Sequence, residues 1–422
     1  MVSPITFSSA RDSQKEGFVS DTALEGVSVL EYANFVAGPY CARLLADLGA
    51  EVIKVETPAS GDQSRRRGPY PQDRPHPETS GLFLYLNANK LGVTLDLSTS
   101  SGQRIFKEMI SRADVLIEDN PPQLLQKLGL DYPQLKASNP RLVMTSITPF
   151  GQSGPYRDYK AYYLNSYHAS LVGYLTPEVL SEEELEREPL KVGGFLGEYG
   201  VGVSAALATT AALYYQWFSG EGQHIDISKQ EALLNFFGVD AARFANWQEH
   251  PCRLRQLKGL GGMMTCQDGH ALVAFNEEHQ WLALVRLMGN PEWALDKKYL
   301  EHSPRAEDDE EIMRGIVQWA QQQSKNEIYH RGQTEGCPIG PVWSPQEVFH
   351  SAQASARDYF MEIEHPLAGR QSYPSLPFRL SQTSSRVRRP APLLGQHNEE
   401  VYCQRLGYSR QELIRMTRAG II

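Results

Sequence analysis

Short apolar runs alternating with amphipathic stretches open the chain. Val27–Tyr32 reads as a buried strand, Pro39–Leu48 as a helix with proline in its first turn, and Glu51–Glu56 as the next strand. A strand, helix, strand unit of this spacing favours parallel pairing. The pattern repeats with strands at Val93–Leu97, Asp114–Glu118 and Arg141–Thr148 and a helix at Ser100–Arg112, which predicts an α/β fold with an open, doubly wound Rossmann-like sheet. Tyr199–Phe218 carries no charge, so a membrane span has to be considered; its Ala, Gly, Ser and Thr content makes it only weakly hydrophobic. The better expectation is a helix buried in protein on most sides and packed closely through small residues. GEGQHIDISKQEALLNFF then reads as a crossing strand and helix, and residues 230–335 are richer in Trp, Met and charged helical sequence. The expected organisation is a tail over 1–25, a large domain over 26–228, a smaller α+β domain over 229–338, and a return to the large domain over 339–422.

Composition narrows the class. At 422 residues, 41% hydrophobic and 22% charged, the chain can bury a sizeable core and make two domains. A net charge of −9 argues against nucleic acid as a partner, and the basic clusters at Arg65–Arg67 and 386–389 are short enough to be solvated surface. Any phosphate binding must be local. Five cysteines, at 41, 252, 266, 337 and 403, show no CxxC spacing, which points to reduced thiols, no structural zinc and a cytoplasmic location. The first 25 residues lack the apolar core of a signal peptide and read as a surface tail.

The candidate chemistry centres on Pro189–Gly202, PLKVGGFLGEYGVG, where Glu198 sits between glycines at a strand-to-helix junction. Small residues allow close approach of a ligand, and a helix start offers free N–H groups to an anion. The alternative is an acid placed in a first helical turn for dipole reasons alone. Near the start, Asn34–Pro39 lacks the G-x-G-x-x-G spacing of a dinucleotide loop and is, by sequence, a strand-to-helix turn.

GVSVLEYANFVAGPYCARLLADLGAEVIKVETP, LNANKLGVTLDL, NPRLVMTSITPFGQSGPYRD, GCPIGPVWSPQEVF and RRPAPLLGQHNEEV, in this order over residues 26 to 422, resemble the class III CoA-transferases. This superfamily includes formyl-CoA transferase, carnitine CoA-transferase and alpha-methylacyl-CoA racemase. The resemblance implies an interlocked dimer and no permanently bound cofactor. Coenzyme A and acyl-CoA enter as substrates together with a carboxylic acid, and neither a metal, nucleic acid nor a membrane is a partner. The family's catalytic Asp in G-D-x-x-x-G falls on Glu198, which keeps the carboxylate and lengthens it by one methylene. The implied reaction moves CoA between acids through an enzyme-bound anhydride and a glutamyl-CoA thioester.

Other residues carry over with mixed fidelity. Phe35, Val36 and Ala37 are implied CoA contacts, largely through backbone. Lys160 and Tyr162 match a Lys and Tyr that flank the active site in formyl-CoA transferase. The racemases need His and Asp where this chain has Tyr162 and Tyr163, so racemase chemistry is disfavoured, and isomerase or lyase chemistry stands behind transfer. The two tyrosines, with Tyr199, are expected to make an aromatic pocket; by sequence alone Tyr162 and Tyr163 also fit a half-buried aromatic pair. Gly259, Gly261 and Gly262 resemble a mobile glycine loop over the site, where a hairpin or turn is the plainer reading. Three cations common in the family's phosphate contacts are missing, because Thr57 follows Glu56, Leu91 follows Lys90, and the turn at 118–123 is EDNPPQ. Arg65, Lys90 and Lys160 remain as phosphate candidates, each also readable as a surface charge. The second functional expectation is a non-catalytic subunit of a heteromeric, benzylsuccinate-type transferase, paired with an Asp-bearing paralogue.

Overall fold

A computed structural model describes residues 21–177, 179–180, 187–250, 254–255 and 258–422. Most of the expected tail, residues 1–20, and Cys252 lie outside the described residues. The chain forms two compact units, one from residues up to 172 with 192–238 and 359–422, the other from 173–191 with 239–358.

The first unit holds a six-stranded, wholly parallel sheet. Its strands are β1 (Ser28–Tyr32), β2 (Glu51–Glu56), β3 (Lys90–Thr94), β4 (Val115–Glu118), β5 (Val143–Thr148) and β6 (His224–Ser228), in the order β3-β2-β1-β4-β5-β6. Val29 pairs with Val52 on one side and Val115 on the other. Alternate side chains feed two cores. Val29, Val115 and Val143 pack with helices α1 (Ala37–Asp47) and α3 (Leu196–Ser219), while Leu30, Leu116 and Met144 pack with Ile105, Phe106 and Met109 of α2 (Ser100–Ile110). β3 starts three residues before the expected strand because Lys90, a residue that reads as exposed, is fully buried there.

The C-terminal segment covers the β3 edge. His397 Nδ1 accepts the Gly92 N–H at 3.0 Å and Asn398 Oδ1 the Thr94 N–H at 2.9 Å, so polar groups of an edge strand are satisfied without another strand.

Helix α3 departs from expectation. Its small residues Gly202, Ala205 and Ala206 face α1 and the sheet, and a Cβ on Gly202 would come within 2.9 Å of the Ala37 carbonyl oxygen, so the helices meet backbone to backbone. Thr209 on the same stripe bonds Thr145 of β5, hydroxyl to hydroxyl, at 2.7 Å. The other side is not buried: Leu207 is 72% exposed and Phe218 71%, with Tyr214 and Trp217 also open. A segment apolar on every side carries no periodic mark of which face the single chain covers. No described helix is long and apolar enough to cross a membrane.

In the second unit, β7 (Gly261–Cys266), β8 (Gly269–Ala274) and β9 (Ile339–Pro341) form an antiparallel sheet, packed by α5 (Glu278–Leu287), α6 (Asp309–Ala320) and α7 (Lys325–Glu335) around Trp281, Ile312, Ile316 and Ile328. This unit runs to Asp358, past the expected 338, because Cys337 and Ile339 complete its core and Ile339 pairs with Val273. The return to the first unit comes at Tyr359, where Phe360–His365 and Gly369–Pro374 make a hairpin.

Candidate active site

In an open parallel sheet, ligands bind beyond the carboxyl ends of the strands where the strand order reverses. Here the reversal lies between β1 and β4, and the residues just after these strands, Asn34–Phe35 and Asp119–Pro121, border a cleft of about 480 Å3. Pro149 after β5 and Lys229 after β6 extend it, and Tyr162, Tyr163, Phe195 and Glu198 close the far wall.

Glu198 lies in the first turn of α3 and is only 2% exposed. Its carboxylate meets the Lys229 ammonium at 3.0 Å through Oε1 and 2.8 Å through Oε2. The flanking glycines have packing duties. A Cβ on Gly197 would sit 2.8 Å from Leu233 and 2.9 Å from the Tyr163 ring, and one on Gly200 would sit 2.5 Å from the Phe236 ring. The helix start is pressed into its neighbours, and the Gly197 N–H, one of its free donors, is taken by the Tyr163 hydroxyl at 3.0 Å. The glycines therefore fix Glu198 by close packing, and Gly193 and Gly194 face open space.

Lys229 is the first residue of α4 (Lys229–Leu234), where Ser228 caps the helix by accepting the Glu231 N–H at 3.2 Å. Its side chain is 17% exposed. Asp119 adds a second carboxyl to the same cleft; its two oxygens accept the Asn34 N–H at 2.9 and 3.0 Å. Burial pushes the Asp119 pKa up to about 8, against the pull of Lys229 and the Asn34 N–H. The site thus joins a salt-bridged carboxylate to a carboxyl held toward its neutral form.

The cations expected for phosphates are placed otherwise. Lys90 is fully buried, with Glu31 at 2.7 Å, Asn87 Oδ1 at 2.9 Å and the Pro39 carbonyl at 2.8 Å. Burial lowers its pKa to about 8 despite Glu31. Arg65, 1% exposed, grips Glu56 through two nitrogens at 2.7 and 2.8 Å and Glu78 at 2.6 Å. Neither presents its charge at the surface, which corrects their reading as phosphate ligands. Together with Lys54, which contacts Glu31 at 2.7 Å, Asp62 at 2.8 Å and the Ala33 carbonyl at 2.9 Å, they form a network under the 34–37 loop. Asp62 Oδ1 in turn accepts the Phe35 N–H at 3.1 Å. Phe35, at φ 70°, lines the cleft with its ring against Phe195, whereas the side chains of Val36 and Ala37 are buried.

Tyr162 is 82% exposed at the cleft and Tyr163 half-buried in its wall, so they are not a matched pair. Tyr199 turns into a cluster with Tyr40 and Tyr85, at centroid distances of 4.9 and 6.1 Å, and does not line the cleft. Lys160 is exposed. Gly259, Gly261 and Gly262 belong to the second unit: Gly259 donates its N–H to Asp309 Oδ1 at 2.7 Å, and Gly261 and Gly262 open β7 against β8. A Cβ at Gly261 would lie 2.1 Å from the Val273 carbonyl oxygen, so close strand pairing explains this glycine.

Sequence reasoning passed over Lys229 and Asp119. A search of positions just past each parallel strand would have found both, since the cleft is built at the carboxyl ends.

Known proteins agree with this fold. Residues 24–398 match the model of CoA-transferase family III. A formyl-CoA:oxalate CoA-transferase of Bradyrhizobium diazoefficiens is 30% identical over 425 residues, covering 95% of this chain and 97% of the relative. A succinyl-CoA--D-citramalate CoA-transferase of Chloroflexus aurantiacus is 29% identical over 406 residues, covering 94% and 98%. Among solved structures, a CaiB/BaiF family protein from Brucella suis superposes with a TM-score of 0.80 at 27% identity, covering 91% of this chain and all of that one. The chain belongs to CoA-transferase family III.

Proposed function

We propose that this protein moves coenzyme A from an acyl-CoA donor to a carboxylic acid, with Glu198 as the covalent carrier. The observation that carries the reading is the Glu198 carboxylate, 2% exposed, fixed by Lys229 and opening on a cleft at the carboxyl ends of the sheet. Family membership and the transferase names of the two relatives support the same reaction class.

Glu198 attacks the thioester carbonyl, the C–S bond breaks, and a mixed anhydride and CoA thiolate result. The thiolate attacks the Glu198 side of the anhydride, releasing the donor acid and leaving glutamyl-CoA. The acceptor carboxylate attacks that thioester, and the returning thiolate takes the acceptor acyl group and frees Glu198. Every intermediate is open to hydrolysis, so exclusion of water matters, and burial of Glu198 serves it. Coenzyme A and the two acids are substrates; Lys160, exposed, and Phe35 at the cleft remain the proposed contacts for CoA.

The second reading, a non-catalytic subunit beside an Asp-bearing paralogue, is favoured by one observation: Lys229 already neutralises Glu198. The open apolar face of α3 supports assembly with another chain, a second copy or a paralogue. The deciding assay incubates the purified protein with a panel of acyl-CoAs and carboxylic acids and follows new acyl-CoA by mass. New thioesters formed without net hydrolysis support transfer by this chain; none from folded protein, with turnover on adding a co-purifying relative, supports the subunit reading.

A further inference from the structure

Lys229, partly exposed at the cleft, differs from the buried lysines of the first unit in what holds it. Lys54 and Lys90 each bond a backbone carbonyl as well as carboxylates, at 2.9 Å to Ala33 and 2.8 Å to Pro39, so their positions do not depend on any single acid. Both hydrogen bonds of Lys229 among the described residues go to Glu198, 31 residues away. Its backbone is fixed by the end of β6 and the Ser228 cap, and Asp119, the other carboxyl facing it, is engaged with Asn34.

In the proposed reaction, on which this inference rests, one negative charge exists at each stage and moves. It begins on Glu198, passes to the CoA sulfur when the anhydride forms, and passes to the released acid when the thiolate recaptures the Glu198 acyl group. Acylation makes Glu198 neutral, which leaves the Lys229 ammonium, 17% exposed at the cleft, without its counter-charge. The ammonium attracts the nearest negative charge, and an anion has just formed within bonding distance of the atom it lost. The geometry points to Lys229 as a stationary catalytic cation that exchanges partners, holding the Glu198 carboxylate at rest and the CoA thiolate after acyl transfer. It remains an ammonium throughout, since no proton moves: the C–S bond breaks, the C–O bond to Glu198 forms, and the electron pair leaves on sulfur.

The test compares wild type with Lys229→Met and Lys229→Arg, timing acyl transfer to Glu198 by peptide mass spectrometry with an acyl-CoA and with the matching thiophenyl ester. The thiophenolate leaves readily without help; the CoA thiolate needs a cation. Lys229→Met is expected to slow labelling by acyl-CoA on the order of a hundredfold or more and labelling by the thiophenyl ester far less, with Lys229→Arg recovering much of the loss. Equal slowing with both esters would show that Lys229 only positions Glu198 and would overturn the proposal, as would unchanged rates. Wild type that is never labelled on Glu198 removes the covalent reading itself and this inference with it. If Lys229→Met does not fold, Lys229→Gln decides by the same ratio: an unequal effect on the two esters supports the proposal and an equal one overturns it.

Discussion

Two clusters of buried charge lie in the same unit and behave in opposite ways. Beneath the 34–37 loop, Glu31, Lys54, Asp62, Lys90, Arg65 and Glu56 bind one another and the loop backbone, and almost every charge has several partners. At the cleft, Glu198 and Lys229 have each other, and beside them Asp119 accepts, among the described residues, the Asn34 N–H alone. Burial weighs on both clusters. The first is closed and does structural work, because its charges cannot leave without an uncompensated partner. The second opens on a cavity and can trade one partner for a substrate. A buried charge thus reads as chemical when its partners are few and the space beside it is empty.

Breaking the open pair should abolish turnover and spare the fold. Glu198→Gln is expected to lower CoA transfer by roughly a thousandfold or more with the far-UV spectrum and Tm near wild type; a variant keeping a tenth of the activity would remove Glu198 from the chemistry. Breaking the closed network should do the reverse. Lys54→Met leaves Glu31 to Lys90 alone and Asp62 without a contacting cation, and denaturant melts should show a loss of about 3–5 kcal/mol; a change under about 1 kcal/mol would mean that the network is not structural. Glu198→Asp sharpens the comparison, since the pocket is packed around the longer acid: drawing the carboxylate back by about 1 Å from Lys229 should cost on the order of a hundredfold in turnover, read from initial rates. Equal or higher activity would show that the extra methylene is not matched by the site.

A further expected effect concerns pH. Asp119 has a folded pKa near 8 against an ordinary 3.8, so the folded protein keeps a proton that the unfolded chain loses. Its contribution to stability is complete below about 3.8 and is lost as pH rises to about 8. The Tm of Asp119→Asn relative to wild type should therefore climb between these values and level off above; a difference independent of pH would refute the assignment.

Much of the fold was legible. Val29–Leu30, Val52–Ile53, Val115–Leu116 and Val143–Met144 put apolar side chains on both faces, as strands of a covered parallel sheet do, and the β1, α1, β2 unit lies within two residues of its expected bounds. Glu198 was legible because glycines crowd around it, although they serve packing against Leu233, Tyr163 and Phe236. What stayed hidden is long-range or contrary to type. Lys90 and Arg65 read as surface cations because lysine and arginine seldom lie fully buried, and only the fold brings Glu31 and Glu56 to them. Lys229 sits in an ordinary strand-to-helix junction, ISKQE, and its pairing with Glu198 spans two elements. The open face of α3 could not be told from the covered one because both are apolar.

The central claim is tested most directly by trapping. Wild-type protein is mixed with a panel of acyl-CoAs, quenched with hydroxylamine or borohydride, digested and mapped by mass spectrometry. The account predicts a hydroxamate or reduced product on the peptide containing Glu198, absent from Glu198→Gln and dependent on a particular donor. Folded protein that carries no modification with any donor, or carries it on another residue, would contradict it.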